Sequence, residues 1–474
     1  MSAAPWSRRP ATAVVIGLLG LLLGMTAVVG ADFLWLVALG DDILDHGRVP
    51  VGIPFAAAPT DGWPNVLVLA EIGLALLWRV GPTGALVFAV VIAVGTVSVL
   101  ARAGVRRGAG DSAVAVVVVL VTAGSITAWG VVRLQTLSLV PFAVLCLILQ
   151  AEADRASRRI WVVPPLLALW GNLHGAVLVG LCLVGVYLLF SRLPRDPATG
   201  VAVGIACVAA LFANPAGLRT VDYYRGVLGN AAAASESHLW AAIDLGSGAD
   251  RALVVGIVIL LVAAARRLML WEGVAIVGLA VGTGVAARNG IWLLFLLSAP
   301  AAVGLTKGFA RLTEARAGRG FEASETAGGQ GGSGRKSARP AWSLFAVALF
   351  IVGTAAAATR PRPIAQVDSA DVAAITAIAG SRVVLAPEPL VEALAVAGVR
   401  VWVADPLDAF SNGDQQAYLA FLDGSPNWTV AARPVVEIVV VARGSAEQAQ
   451  LDGLGLVPVT AADLPEEWLL YRWP

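Results

Sequence analysis

Apolar segments of membrane-spanning length alternate with short polar loops along most of the chain. A helix needs about 20 apolar residues to cross a bilayer, and eleven segments are apolar enough to be predicted as transmembrane helices. The pattern therefore predicts a polytopic α-helical membrane protein. The predicted spans lie at about 11–30, 82–101, 112–127, 134–151, 160–171, 175–191, 199–213, 251–265, 270–286, 289–306 and 341–358.

The positions of the arginines predict the direction in which these spans cross the membrane. Arg8 and Arg9 precede the first span, and cytoplasmic loops carry an excess of basic residues, so the N-terminus is predicted to be cytoplasmic. If the apolar segment 65–80 crossed the membrane, the arginine-rich loops at 101–108 and 152–159 would both lie outside, against that rule. We therefore predict that 65–80 is an interfacial helix.

The composition changes after the predicted transmembrane domain, residues 1–306. Residues 307–340 are rich in Gly, Ser, Arg and Glu without periodicity, which predicts a flexible cytoplasmic linker. The span at 341–358 returns the chain to the outer side. Residues 361–474 then alternate strand-like and helix-like segments, which predicts a small extracytoplasmic α/β domain.

The totals agree with a multi-pass protein of the plasma membrane. Hydrophobic residues make up 58% of the 474 residues and charged residues 14%, against about a quarter charged in soluble domains. The net charge of +1 gives no reason to expect a nucleic acid as partner. The three cysteines lie within apolar runs, and we expect them to be buried without a disulfide or metal role.

The outer loop at 31–63 contains more titratable groups than the other loops between apolar segments. Asp32 follows directly on the first span, and an ionisable group at membrane depth is a functional candidate by default. Its carboxylate could serve as a general base towards an acceptor hydroxyl, or as a metal ligand. The alternative is that Asp32 only marks the end of the first span.

Asp42 and His46 in the same loop are four residues apart, so a helix would place both on one face. A carboxylate and an imidazole on one face can bind a divalent metal ion. The alternative is that they belong to the solvated face of an interfacial helix whose other face is apolar.

Further polar residues fall at the predicted outer ends of several spans, and therefore on one face of the helix bundle. Arginines on this side run against the positive-inside bias, and a guanidinium pairs well with phosphate; the alternative is that they reach towards lipid headgroups. A histidine at a turn could bind a phosphate or a sugar hydroxyl, or only backbone carbonyls. These residues are Arg133, His174, His238 and Arg288.

Several short motifs along residues 1–306 carry a family resemblance. They are an Asp–aromatic segment with G-x-x-I-x-x-x-G-x-x-P (Asp32, Trp35, Gly40, Ile43, Gly47, Pro50), R-x-Q (Arg133, Gln135), W-x-N-L-H-G (Trp170, Asn172, Leu173, His174, Gly175), N-P-x-G (Asn214, Pro215, Gly217) and A-R-N (Arg288, Asn289). In this combination the chain resembles the polytopic glycosyltransferases of the GT-C fold, the group with the protein mannosyltransferases, and more closely a bacterial branch of it.

The resemblance implies a catalytic carboxylate at Asp32, interfacial helices in the first outer loop and a polyprenyl-phosphate sugar as donor, often with a divalent metal such as Mg or Mn. The motif positions and His238 are then the expected substrate-binding residues, with Arg133, His174 and Arg288 expected at the lipid phosphate. The full expected set is Arg133, Gln135, Asn172, His174, His238, Arg288 and Asn289.

Three functions remain open on the sequence. The first is a membrane glycosyltransferase that transfers a sugar from a polyprenyl-phosphate donor to a glycan, lipid or protein acceptor of the cell envelope. The second is a transporter or flippase of a lipid-linked saccharide. The third is a non-catalytic envelope assembly protein whose outer domain, residues 361–474, binds the partner.

Overall fold

The computed structural model describes residues 9–60, 62–230, 241–321, 339–360, 363–365, 367–451, 453–460 and 465–474. Within these residues the chain is mostly helical. The helices, numbered in chain order, are α1 Pro10–Thr26, α2 Ala31–His46, α3 Val68–Trp78, α4 Pro82–Arg106, α5 Asp111–Gly124, α6 Ile126–Gly130, α7 Thr136–Asp154, α8 Val163–Gly171, α9 Val177–Tyr187, α10 Pro197–Ala210, α11 Thr220–Leu228, α12 Gly248–Ala264, α13 Leu270–Val285, α14 Gly290–Phe321, α15 Arg339–Ala358, α16 Ser369–Ala379, α17 Leu390–Val396, α18 Asn412–Leu422, α19 Thr429–Ala432 and α20 Ala446–Leu451.

Three helical segments in the described part of the chain are long and apolar enough to cross a membrane: Pro82–Arg106, Thr136–Asp154 and Ala287–Glu314. Other apolar helices, including α1, α5 and α13, are shorter. In the segment predicted as a span at 160–171, the 3₁₀ turn Arg158–Val162 precedes the short helix α8. The count of eleven spans stays a prediction.

The first and the last apolar helices, α1 and α15, pack against each other over much of their length. Glycines make this close approach possible: a Cβ on Gly24 would collide with the backbone of Gly353, and one on Gly353 with the carbonyl of Gly20. Small residues at such contacts let apolar helices approach closely within a bilayer. The end of α15 therefore lies beside the end of α1.

Two short parallel strands join distant parts of the chain at this point. Strand β1, Val28–Val29, follows α1 and pairs with β2, Val131–Val132. The segment 363–365, just beyond α15, joins on the other side: Val29 N donates to Pro363 O at 2.7 Å, and Ala365 N donates to Val29 O at 3.1 Å. The first outer loop, the loop before α7 and the C-terminal part of the chain are thereby brought together.

The C-terminal part contains a four-stranded mixed sheet in the order β3-β4-β6-β5. Strands β3 and β4 are parallel, and the other neighbours are antiparallel. Helices α17, α18 and α20 belong to the same part of the chain. The strands are β3 Val384–Leu385, β4 Ile438–Ala442, β5 Val457–Pro458 and β6 Trp468–Arg472.

The first outer loop extends this part of the molecule. Ala57 N donates to Val401 O at 2.7 Å, Val401 N donates to Phe55 O at 3.0 Å, and Val401 also bridges to Val384 of β3. The segment around Val401 therefore forms isolated bridges and not a continuous strand. Helix α2 packs against α17, so the loop and the C-terminal part make one continuous surface.

One boundary differs from the prediction. Helix α14 continues to Phe321, so it enters the segment 307–340 that the composition had predicted to be a flexible linker. The sequence from 307 to 321 contains several good helix formers, Ala, Leu, Arg and Glu, and it directly follows an established helix, so that propagation needs no new nucleus. The rest of the predicted linker up to residue 338 lies outside the described residues.

Candidate functional site

Asp32 is positioned by the β1–β2 pair. Strand β1 leads through Gly30 into the first turn of α2, which contains Asp32, while β2 leads directly to Arg133. Gly30 N donates to Val132 O at 3.0 Å, which fixes the start of α2 beside the end of β2. A carboxylate in the first turn of a helix is also favoured by the helix dipole.

A cavity of about 420 Å³ opens beside Asp32. Its polar lining comes from several separate segments, among them α2, the loops before α7 and α14, the turn after α8, α11 and the C-terminal part of the chain. The polar side chains that line it include Asp32, Gln135, His174, Arg288, Asn289, Glu388, Asp405 and Asp408. Five of the residues expected at a site, from the first outer loop and from the R-x-Q, N-L-H-G and A-R-N motifs, therefore share one cavity.

Arginines occupy one side of Asp32. Both Arg133 and Arg288 lie close enough to Asp32 for an electrostatic interaction with its carboxylate. Arg133 Nη2 donates to Gln135 Oε1 at 3.0 Å, and Gln135 Nε2 donates to the Arg288 carbonyl at 3.3 Å. Arg133 lines a second, smaller cavity of about 190 Å³, and Arg288 lines both cavities. The R-x-Q motif thus links two cationic groups around one carboxylate.

His174 is held as a neutral imidazole. Trp170 Nε1 donates to Ser138 Oγ at 2.6 Å, and Ser138 Oγ lies 2.5 Å from His174 Nδ1. Because Trp170 donates to Ser138 Oγ, the Ser138 hydroxyl can donate its own proton to His174 Nδ1. A neutral histidine that accepts at Nδ1 carries its hydrogen at Nε2. Burial, together with the charges of Arg288 and Arg133, lowers the pKa of His174 to about 3. His174 can therefore donate one hydrogen bond into the cavity without adding a charge.

Carboxylic acids of the C-terminal part also lie near Asp32. Glu388 follows β3, Glu392 lies in the first turn of α17, and Asp405 follows the segment around Val401. One oxygen of each lies within 4.8 Å of one oxygen of the others, an arrangement that could hold a metal ion. The Asp32 and Asp405 side chains are themselves in hydrogen-bond contact. Four carboxyl groups thus meet at this point.

The proximity of these acids is reflected in their pKa values. Burial, and then the charges of Glu392 and Asp32, raise the pKa of Glu388 well above its usual range, although Glu388 keeps accessible surface towards the cavity. Burial, and then Glu388 and Asp32, raise the pKa of Asp405 in the same way. Burial, and then Asp405, raise that of Glu392. The group is stable either with bound protons or with a bound cation.

Asp408 ties the C-terminal part to the first outer loop. Trp63 Nε1 donates to Asp408 Oδ2 at 2.9 Å, and the Trp63 ring packs edge-on against Trp35 of α2 at 6.5 Å. Burial raises the pKa of Asp408 to about 6, while the bond from Trp63 opposes that rise. This contact closes the cavity between the loop and the C-terminal part.

Other predicted residues lie elsewhere. Asn172 uses its amide hydrogens on the carbonyls of Ala168 and Ala213, at 2.9 and 2.7 Å, so it connects backbone segments behind His174. Asp42 and His46 pair with each other at 3.2 Å on the outer face of α2, about 15 Å along the helix from Asp32. Their role as metal ligands stays a prediction. His238 lies outside the described residues.

Sequence reasoning missed the acids of the C-terminal part. Glu388 and Asp405 each follow a short run of β-branched residues, in VVLAPEP and VWVADP, where functional side chains of parallel strands often lie. That position was a usable indication. No such indication existed for Glu392, because a single acid in an otherwise apolar helix usually lies on the solvated face of that helix.

Comparison with known proteins supports the fold. No protein-family model and no curated protein sequence match the chain. Solved structures do match. The crystal structure of ArnT from Cupriavidus metallidurans bound to undecaprenyl phosphate superposes with a TM-score of 0.54 at 15% identity, over 97% of this chain and 96% of that chain.

Two further structures match over most of this chain. The oligosaccharyltransferase of Archaeoglobus fulgidus has a TM-score of 0.54 at 11% identity, over 92% of this chain and 69% of its own. The mycobacterial arabinofuranosyltransferase AftD has a TM-score of 0.53 at 14% identity, and this chain spans 42% of its length. All three are membrane glycosyltransferases of the GT-C fold. The resemblance inferred from the motifs is therefore confirmed at the level of the fold, and the chain has the GT-C fold.

Proposed function

We propose that the protein is a glycosyltransferase of the plasma membrane. It transfers a sugar from a polyprenyl-phosphate donor to an acceptor of the cell envelope, a glycan, a lipid or a protein, on the extracytoplasmic side. The observation that carries the proposal is the position of Asp32, near two arginines and at the wall of a cavity of about 420 Å³.

The chemistry of this arrangement suits such a transfer. A carboxylate beside the reacting atoms can accept the proton of an acceptor hydroxyl as it attacks the sugar carbon. Arg288 and Arg133 can bind the phosphate of the donor and stabilise the charge that develops on it when the sugar leaves. His174 can donate a neutral hydrogen bond to the same phosphate or to the sugar. The similar ArnT structure was obtained with undecaprenyl phosphate. A structure of the similar Archaeoglobus fulgidus oligosaccharyltransferase, AglB, was obtained with a dolichol-phosphate. Both support a lipid phosphate as part of the donor.

The proposal includes the topology inferred from the sequence. The chain crosses the membrane eleven times, its N-terminus is cytoplasmic, and residues 361–474 form a small extracytoplasmic domain beside the outer ends of the spans. Helix α3 then lies in the interface rather than across the bilayer. A divalent cation, Mg²⁺ or Mn²⁺, is part of the proposal, and when bound it would offset negative charge among the carboxylates beside Asp32.

The test is Asp32→Asn in purified protein reconstituted into liposomes with a panel of radiolabelled polyprenyl-phosphate sugars and envelope glycan acceptors. Loss of a general base typically costs about 10²- to 10⁴-fold in rate, and we expect a fall of that size. Asp45→Asn is the matched control, because Asp45 is an exposed acid on the same helix, paired with Arg79. Full activity in Asp32→Asn with normal membrane insertion would exclude Asp32 from the reaction.

The same liposomes separate transfer from transport. A flippase moves the labelled lipid to the opposite leaflet when no acceptor is present, whereas a transferase leaves it in place and forms product only with acceptor. Movement of the lipid without acceptor, unaffected by Asp32→Asn, would replace the proposed function with transport.

A further inference from the structure

The acids of the C-terminal part form a compact group at the boundary with α2. The group comprises Glu388, Glu392 and Asp405, and we call it the acidic triad. One oxygen of each acid lies within 4.8 Å of one oxygen of the other two. Ligands on opposite sides of an ion with metal–oxygen bonds of roughly 2.1 to 2.4 Å lie about 4.2 to 4.8 Å apart. The spacing therefore leaves room for an ion among the three carboxylates.

A second observation points to a ligand at the same place. Glu392 is fully buried, its Oε1 accepts a hydrogen bond from the backbone N–H of Asp405 at 3.2 Å, and its Oε2 has no hydrogen-bond partner. Burial of an unmatched carboxylate oxygen is costly. Since the neighbouring side chains of the triad are themselves acids, a cation is the group that would satisfy this oxygen.

We propose that the acidic triad binds one divalent cation. The ligands are carboxylate oxygens only, which favours Mg²⁺, Mn²⁺ or Ca²⁺ over Zn²⁺, for which nitrogen and sulfur ligands are preferred. Asp405 is in hydrogen-bond contact with Asp32, so the ion lies next to the carboxylate proposed to act in the transfer. The site lies where the C-terminal part of the chain meets the first outer loop. Its three ligands all come from the C-terminal part.

The surrounding charges agree with this position. Asp32 and Asp408 add further carboxyl groups beside Asp405 of the triad. Two arginines, Arg133 and Arg288, interact with Asp32, and they belong to the helical part of the chain. An ion of charge +2 among the acids would reduce their mutual repulsion. It would also let the negatively charged donor phosphate approach from the arginine side.

The test measures metal binding alone, with MnCl₂ as probe and without donor or acceptor. Full-length protein in nanodiscs is titrated, and bound Mn²⁺ is detected by the loss of the six-line electron paramagnetic resonance signal of the free ion. We expect one bound ion per chain with a dissociation constant of about 1 mM or tighter. Glu388→Gln and Asp405→Asn should each weaken binding by at least about 10-fold.

Control variants distinguish binding at the triad from binding elsewhere on the chain. Asp423→Asn changes an exposed acid that follows α18, and it should leave Mn²⁺ binding unchanged. Glu388→Gln is the variant least expected to disturb folding, because Glu388 keeps accessible surface; bound Mn²⁺ should raise the thermal midpoint of the wild type and not that of this variant. Wild-type protein without bound Mn²⁺, or binding that survives Asp405→Asn, would overturn the proposal. So would binding that is lost instead with His46→Gln.

The outcome is independent of the transferase reaction. A chain that binds Mn²⁺ at the triad and transfers no sugar would contradict the proposed function and support the metal site. A chain that transfers sugar and binds no Mn²⁺ would contradict the metal site and support the function.

Discussion

The two sides of the cavity carry opposite charge, and they come from different parts of the chain. The helical bundle contributes His174 and Arg288 to one side, with Arg133 in the adjoining cavity. The C-terminal part contributes Glu388 and Asp405 to the other, and Glu392 adjoins them. Asp32 lies between them, in contact with Asp405 and within the electrostatic reach of both arginines.

Each side also retains one unmatched buried polar atom. On the arginine side it is Arg133 Nε, a donor, and on the acidic side it is Glu392 Oε2, an acceptor. An unmatched donor in a cationic setting favours an anionic ligand, and an unmatched acceptor among acids favours a cationic one. The difference teaches that one cavity is suited to two ligands of opposite charge, a phosphate and a metal ion, with Asp32 adjoining both.

Among variants that distinguish the two sides of the cavity, the largest expected effect comes from removing charge on the arginine side. Arg288→Gln should lower kcat/KM for a polyprenyl-phosphate sugar by about 100-fold, because loss of one partner of a buried charge pair costs roughly 2 to 5 kcal/mol. Arg288→Lys should recover part of this loss, since it keeps the charge without the bidentate geometry.

The matched control for that prediction is Arg225→Gln, which removes an exposed arginine of α11 that pairs with Asp222. Binding of polyprenyl phosphate to the purified protein is the second measurement. Unchanged affinity in Arg288→Gln would show that the arginine side does not bind the phosphate, and the two sides would no longer differ in the ligand they take.

The motifs of the sequence located one side of the cavity much better than the other. Asp32, Gln135, His174, Arg288 and Asn289 lie at or beside the ends of helices. That position is visible in an apolar pattern, because each apolar segment ends where polar residues begin. Their roles in binding and catalysis stay predictions.

The acidic side depends on tertiary packing that a local pattern does not contain. Glu392 lies near Asp32 because α17 packs on α2. The segment around Val401, which precedes Asp405, lies near the first outer loop because it pairs with residues 55–57. Contacts across more than 300 residues of chain leave no trace in periodicity. Similarly, the pairing of β1 with β2 rests on two residues in each strand, too few to be recognised in the sequence.

A smaller effect is expected from the hydroxyl that orients His174. Ser138→Ala removes the partner of both Trp170 Nε1 and His174 Nδ1, so the imidazole loses its fixed tautomer. We expect about a 10-fold fall in kcat/KM for the donor, as for other groups that orient a ligand-binding histidine. Ser138→Thr keeps the hydroxyl and should preserve most of the activity, whereas an equal loss in both variants would point to packing instead.

The lowered pKa of His174 gives a prediction for stability against pH. The unfolded chain binds a proton at this histidine below about pH 6.5, whereas the folded protein does so only near pH 3. Stability from His174 is therefore present above pH 6.5 and is lost as the pH falls. The thermal midpoint of the wild type should drop more between pH 7.5 and 5 than that of His174→Gln. Parallel curves for the two proteins would show that His174 is not held neutral.

The smallest effect is expected where the first outer loop meets the acidic side. Trp63→Phe keeps the ring packing on Trp35 and removes the hydrogen bond to Asp408, and such a bond to a charged group contributes about 1.5 to 3 kcal/mol. Limited proteolysis should cut the C-terminal part faster, while polyprenyl phosphate binding at the arginine side stays the same. Trp342→Phe is the control, since that tryptophan is exposed on α15 and contacts Phe345. If Trp63→Phe instead weakened lipid binding as much as Arg288→Gln does, the two sides would act as one unit, and their separation into a phosphate side and a metal side would be wrong.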